Sequence, residues 1–140
     1  MKPTAEMSRE ELISEALNSS EAASELERRY GSIVAILVVD FSSMMARTDA
    51  FGIIHTIATL DIAFRAYTPA IERHGGRLIK TVADTLFASF ATADLALNAA
   101  LDGHSEMQKF NADRLGNIHE GIPNAPIHPK TGLGYGHSLV

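Results

Sequence analysis

Seven consecutive apolar residues, Ile33-Val34-Ala35-Ile36-Leu37-Val38-Val39, form the longest hydrophobic run in the chain, and Asp40 ends it. A β-branched run of that length with no polar alternation predicts a central strand covered on both faces. Before it, Ser8 to Tyr30 has a helical pattern with an interruption near Asn18-Ser19-Ser20. Ser8 and Glu11 have the spacing of a capping box. Leu12, Ile13, Ala16 and Leu17 make a narrow apolar stripe, and Ala22, Ala23 and Leu26 a weaker one. Gly31-Ser32 separates this helical segment from the strand.

After Asp40, the residues from Asp49 to Tyr67 read as a helix, with Phe51, Ile54, Ile57, Ala58, Ile62 and Phe64 as apolar positions. Pro69 falls near its end, Ala70 to Arg73 add a short continuation, and Gly75-Gly76 stops it. Arg77–Val82 and Leu86–Phe90 are two short strands joined by Ala83-Asp84-Thr85, the pattern of a hairpin. Thr92 to Asn111 is a further helix, with Ala96, Ala100, Gly103, Met107 and Phe110 on one face. Gly116 to Pro129 reads as a loop containing Pro123, Pro126 and Pro129. Thr131 to Val140 reads as a glycine-rich strand, and the adjacent Pro129 suits an edge position.

The order strand, helix, strand, strand, helix, strand folds with right-handed crossovers into an α+β, ferredoxin-like antiparallel sheet of order 4-1-3-2, with helices on one face. The expected organisation is an N-terminal helical segment over residues 1–31 and one domain over residues 32–140. In that order the C-terminal end of the first strand lies beside the N-terminal end of the third. Asp40 and Asp84, far apart in sequence, therefore come within reach of one ion. Two carboxylates at one sheet edge repel each other unless a cation or proton sits between them. Mg2+ or Mn2+ suits oxygen ligands and is commonly completed by substrate phosphates. The turn Phe41-Ser42-Ser43-Met44-Met45 follows Asp40, where backbone amides can meet phosphate oxygens. The simpler alternatives are a helix cap at Asp40 and a turn residue at Asp84. For Lys80 the simpler role is a solvated lysine on a sheet edge.

Composition narrows the function classes. The chain has 140 residues, 46% of them hydrophobic, enough for one domain with a real core. Its formal net charge of −5 argues against nonspecific nucleic-acid binding. There is no cysteine, which excludes disulfides and thiolate metal sites and makes the cytoplasm the default location. No apolar run approaches the roughly 20 residues of a membrane span, so no membrane contact is expected from this segment. His119, His128 and His137 are evenly spaced but fit no helical metal pair.

Taken together these elements resemble the catalytic domain of class III adenylate and guanylate cyclases. Asp40 matches the family's first metal-binding Asp, and Gly75-Gly76 match its Gly-Gly pair. Lys80-Thr81 match its Lys-Thr, Asp84 its second metal-binding Asp, and Leu86-Phe87-Ala88-Ser89-Phe90 the strand that follows. Gly132-Leu133-Gly134-Tyr135-Gly136 resembles its Gly-Ile-Gly-x-Gly strand. The resemblance implies conversion of ATP to cyclic AMP and pyrophosphate for cyclic-nucleotide signalling, by attack of the ribose 3′-hydroxyl on the α-phosphate. It implies two divalent ions, Mg2+ or Mn2+, held by Asp40 and Asp84 with the Phe41 carbonyl. Lys80 would contact the purine, and Phe41, Ser42, Ser43 and Met44 would face the phosphates. It also implies a head-to-tail homodimer in which Lys80 and Asp84 of one chain serve different sites; a domain-exchanged oligomer is the other expectation.

Several positions depart from the family pattern. Ser43 and Met44 stand where the phosphate loop has Gly and Phe, Met45 replaces its Thr or Ser, and Ala83 replaces the turn Gly. The family continues beyond the glycine-rich strand to a second base-reading residue, an Asn and an Arg, none of which is present here. The expectation is therefore a domain truncated at its C-terminus, with weak or no turnover by the chain alone. The alternative is a non-catalytic cyclase-homology module that regulates or dimerises.

Overall fold

The computed structural model describes residues 2–41, 44–116 and 127–139. Its helices are α1 (Arg9–Glu15), α2 (Ser20–Tyr30), α3 (Met44–Phe51), α4 (Ile53–Arg73) and α5 (Ala93–Gly116). Its strands are β1 (Gly31–Asp40), β2 (Arg77–Val82), β3 (Thr85–Phe90) and β4 (Lys130–Leu139). The four strands form one sheet of order β2-β3-β1-β4, with β3 antiparallel to both β1 and β2. Read from its other edge this is 4-1-3-2, the order expected from the sequence.

The chain divides into two compact units. One comprises Met1–Val34 with Gly136–Val140. Here Ser8 caps α1 through the expected box: its hydroxyl accepts from the Glu11 amide at 3.1 Å, and the Glu11 carboxylate accepts from the Ser8 amide at 2.6 Å. The helical pattern breaks between Glu15 and Ser20, and Ser19 caps α2 by accepting from the Ala22 amide. Leu12, Ala22, Leu26 and Met7 make a small core. Of the apolar stripe read on α1, only Leu12 is fully enclosed; Leu17 is 97% exposed. The guanidiniums of Arg9 and Arg29 lie over the Tyr30 ring at 5.6 and 5.4 Å. Each also donates to a backbone carbonyl, Arg9 to Leu139 and Arg29 to Met7.

The second unit is Ala35–Tyr135. Ala35, Leu37 and Val39 of β1 and Leu86, Ala88 and Phe90 of β3 are buried on one face of the sheet. Ala63, Tyr67 and Ile71 from α4, and Ala96, Ala99, Ala100 and Met107 from α5, complete this core. Ile127 joins it, held by a two-point clasp in which Asn111 donates to its carbonyl and accepts from its amide. The opposite face of β1 and β3 is half-buried, with Ile36, Val38 and Phe87 on it. β1 is thus covered fully on one face and only in part on the other, a correction to the reading of its unbroken apolar run.

Two further differences lie in the helical region after β1. The segment read as one helix from Asp49 is split at Gly52, whose φ of +88° is left-handed backbone that favours glycine. Thr48 and Thr56, on either side of the break, share a hydroxyl hydrogen bond of 2.6 Å. Second, α4 buries its small residues, Thr56, Thr59 and Ala63, and leaves Ile54 and Ile57 exposed. α4 also continues through Pro69 to Arg73. Pro69 is exposed and lies four residues after the exposed Arg65, so water can serve the carbonyl that proline leaves without its amide partner.

Candidate functional site

Asp40 is the last residue of β1, and its register partner is Thr85 of β3. The next residue, Phe41, donates its amide to the carbonyl of Asp84 at 2.9 Å. The two aspartates are therefore carried by adjacent backbone at one edge of the sheet, as the strand order requires. Both are partly exposed. Asp84 follows Ala83, whose φ of +52° turns the chain from β2 into β3. A non-glycine residue in left-handed backbone carries a conformational cost, tolerated in this tight two-residue turn.

The Asp84 carboxylate accepts a long hydrogen bond from the Thr85 hydroxyl at 3.4 Å. Among the described residues no lysine, arginine or histidine pairs with Asp40 or Asp84. Two carboxylates carried by adjacent backbone, without a cationic partner among the described residues, are the donor type that suits a hard divalent cation. They do not complete its shell: among the described residues no cluster of three or more His, Cys, Asp or Glu could hold a metal. The remaining ligands would have to come from the Phe41 carbonyl, water and substrate oxygens. His119 lies outside the described residues, as do Ser42 and Ser43.

The other predicted site residues divide by burial. The Phe41 ring is fully buried, so only its backbone faces the edge. Its ring meets Phe64 at 5.7 Å and Tyr67 at 5.5 Å between centroids, both edge to face. Met44 opens α3 with its side chain in the core, whereas Met45 is 82% exposed. Lys80 pairs across the hairpin with Phe87, and its ammonium lies 5.6 Å above that ring. It belongs to β2, separated from β1 by β3, which places its backbone roughly 10 Å across the sheet from Asp40 by strand spacing. Lys80 and the carboxylate edge are thus separate features of one chain. A bulge between Leu78 and Lys80 sets which β2 residues share the face with Phe87.

Sequence reasoning did not single out Tyr67. It is fully enclosed, its hydroxyl has no hydrogen-bond partner among the described residues, and burial pushes the phenol up to about 12. Its spacing from Ala63 and Ile71 marks it as core, and nothing local marks it as a neighbour of Phe41. Among the described residues, no helix is long and apolar enough to cross a membrane.

No protein-family model matches the sequence, and no curated protein does. Solved structures do match. A bacterial light-regulated adenylyl cyclase superposes with a TM-score of 0.66 at 23% identity, over 76% of this chain and 55% of that one. The adenylyl cyclase CyaB from P. aeruginosa gives 0.65 at 14% identity, over 76% of this chain and 57% of that one. The guanylate cyclase domain of RhGC from Catenaria anguillulae, solved in complex with GTP, gives 0.61 at 19% identity, over 75% and 57%. This chain spans a little over half the length of each of these neighbours. With the strand order, the helix-covered face and the edge that carries Asp40 and Asp84, these matches establish that the chain has the fold of the class III adenylyl and guanylyl cyclase catalytic domain.

Proposed function

We propose that residues 32–140 form a cytoplasmic nucleotidyl cyclase-like domain, following an N-terminal helical segment over residues 1–31, that binds ATP and forms cyclic AMP and pyrophosphate. The observation that carries the reading is the edge at which the Phe41 amide bonds the Asp84 carbonyl, beside two carboxylates with no cationic partner among the described residues. Asp40, Asp84 and the Phe41 carbonyl would hold two divalent ions, Mg2+ or Mn2+. Bound there, such ions lower the pKa of an attacking hydroxyl and neutralise charge on departing phosphates.

The chain's own residues would do the positioning. Asp40 and Asp84 would hold the divalent ions that draw the triphosphate to the end of β1, and the backbone from Phe41 to Met44 would face its oxygens. Lys80 reads the purine ring of a nucleotide held by a second copy. A head-to-tail homodimer would bring Lys80 of one chain to the carboxylate edge of its partner. The half-buried face with Ile36, Val38 and Phe87 suits such a contact. The neighbours include enzymes named for both adenylyl and guanylyl products, so the preference for ATP rests on Lys80.

A second reading, a cyclase-homology module without turnover, is favoured by the core placement of Met44. It leaves only backbone from that position to meet phosphate. Calorimetry with ATP and a non-reactive ATP analogue, with Mg2+ or Mn2+, together with an assay for cyclic AMP, separates the readings. Metal-dependent binding with product supports the first, and binding without product supports the second. Absence of metal-dependent nucleotide binding in a folded sample sinks both.

A further inference from the structure

The backbone that carries the carboxylate edge is anchored in the core by a large aromatic side chain. Phe41 is fully buried, and its amide is the donor that joins the end of β1 to Asp84. Where the ring sits therefore sets where this backbone lies. Two aromatic rings of α4 meet it edge to face, the half-buried Phe64 and the fully enclosed Tyr67.

Tyr67 is in turn held by Gly103 of α5. A methyl group on Gly103 would lie 2.3 Å from Cδ1 and 2.5 Å from Cε1 of the Tyr67 ring. That is well inside any ordinary carbon–carbon contact, which lies near 3.5–4.0 Å. Among the described residues the Tyr67 hydroxyl has no hydrogen-bond partner, so none of them tethers the ring through a polar contact. Its place is determined by packing alone, and close-packed interiors transmit such displacements.

We infer that Tyr67 and Gly103 are positioning residues for the Asp40–Asp84 edge, acting through the ring of Phe41. α5, which contributes no ligand, thereby governs the geometry of the cation site. The inference rests on the metal-binding reading of that edge. It accounts for a glycine in the middle of a helix, where glycine otherwise costs about 1 kcal/mol relative to alanine. It also accounts for a tyrosine whose hydroxyl has no partner among the described residues: what the site uses is the flat ring.

The sheet supplies a matched control. A methyl on Gly76 would lie 2.3 Å from Cε1 of Phe90, an equally severe overlap with an aromatic ring. Phe90 pairs with Ala35, five residues along β1 from Asp40, which is about 17 Å at the rise of a strand.

The test is titration of the full chain with Mn2+ alone, read as loss of the free-ion paramagnetic resonance signal, alongside thermal midpoints. Wild type is expected to bind and Asp40→Asn to bind far more weakly. Gly103→Ala is expected to weaken binding roughly ten- to hundredfold, the range for residues that orient ligands from behind. Gly76→Ala is expected to lower the midpoint comparably while keeping affinity within about twofold of wild type. Tyr67→Leu removes the ring and is expected to weaken binding, whereas Tyr67→Phe retains the ring and the affinity. If Gly103→Ala does not fold, the Tyr67→Leu and Tyr67→Phe pair decides alone. Wild-type affinity in both Gly103→Ala and Tyr67→Leu, with loss in Asp40→Asn, overturns this inference and leaves the metal site standing. Equal losses in Gly76→Ala and Gly103→Ala also overturn it, because the effect would then be general destabilisation. No binding by wild type removes the metal reading and the inference together.

Discussion

The amide of Phe41 donates to the carbonyl oxygen of Asp84 at 2.9 Å, across the gap between the end of β1 and the start of β3. This bond extends the β1–β3 ladder by one step and keeps the backbones of two aspartates from distant parts of the chain adjacent. If they share divalent ions, binding must stabilise the folded state, because an unfolded chain does not present the pair. A ligand at about 100 times its dissociation constant contributes about 2.7 kcal/mol, an upward shift on the order of 10 °C for a domain of this size. Mn2+ or Mg2+ is expected to raise the thermal midpoint of the wild-type chain. Asp40→Asn and Asp84→Asn are expected to abolish that shift while leaving the metal-free midpoint unchanged or slightly higher. Equal metal shifts in wild type and both variants would count against the site.

Lys80 separates the binding role from the structural one. Its ammonium lies over the Phe87 ring in an exposed setting, worth about 0.5–1 kcal/mol at most. Lys80→Met is therefore expected to shift the thermal midpoint by only a few degrees. If Lys80 reads the purine, the same change weakens metal-dependent ATP binding about tenfold, the loss of roughly one charge-assisted hydrogen bond. Calorimetry with ATP and GTP on both proteins measures it. Unchanged affinity for both nucleotides would leave Lys80 as a solvated edge lysine.

The parts of the fold that were legible are those in which local and long-range preferences agree. The apolar run ending in Asp40, the Gly75-Gly76 stop and the short turn at Asp84 each have one conformational solution. Together they fix the 4-1-3-2 order and bring the aspartates to one edge. The parts that were not legible depend on tertiary context. Gly52 breaks a helix that its apolar neighbours would continue. Ile54 and Ile57 look like a buried face, yet the close approach of neighbouring elements selects the smaller Thr56 and Thr59 instead. The dependence of Phe41 on Tyr67, and of Tyr67 on Gly103, joins three distant segments and leaves no periodic trace.

The contact between His74 and Asp102 predicts how the domain responds to acid. The Asp102 carboxylate meets His74 Nε2 at 2.6 Å and Arg73 at 3.6 Å, joining the end of α4 to α5. The hydrogen bond from His74, then its charge and that of Arg73, holds the Asp102 carboxyl below the usual carboxylate range. The folded chain therefore releases this proton more readily than the unfolded chain. The contribution is complete above the unfolded value near pH 4 and is lost as pH falls through it and then through the folded value. Asp102→Asn is expected to flatten the fall in stability as pH drops through and below about 4. Its effect should be small, because the pair is partly exposed and screened. Urea unfolding of both proteins across that range tests it; parallel curves would show that the contact carries no acid sensitivity.

Tyr67 makes the opposite prediction at the alkaline end. Its phenol is fully enclosed with no hydrogen-bond partner among the described residues, and burial raises its pKa from about 10 to about 12. Below pH 10 the hydroxyl is neutral in both folded and unfolded chains, and no proton is exchanged on folding. Above pH 10 the unfolded chain ionises while the folded chain keeps its proton, so stability is lost as pH rises toward 12. A two-unit difference corresponds to about 3 kcal/mol once both values are passed. At neutral pH the same hydroxyl is a liability, since a buried donor without a partner costs roughly 1–3 kcal/mol. Tyr67→Phe removes that cost and preserves the ring against Phe41 and Gly103. The variant is expected to match or exceed wild-type stability by about 1 kcal/mol at pH 7, and the gap should widen steadily above pH 10. Denaturant unfolding at pH 7, 10 and 11 measures both effects. A variant less stable than wild type at pH 7, with no widening at pH 11, would mean that the hydroxyl is satisfied in solution and that the ring is not held by packing alone.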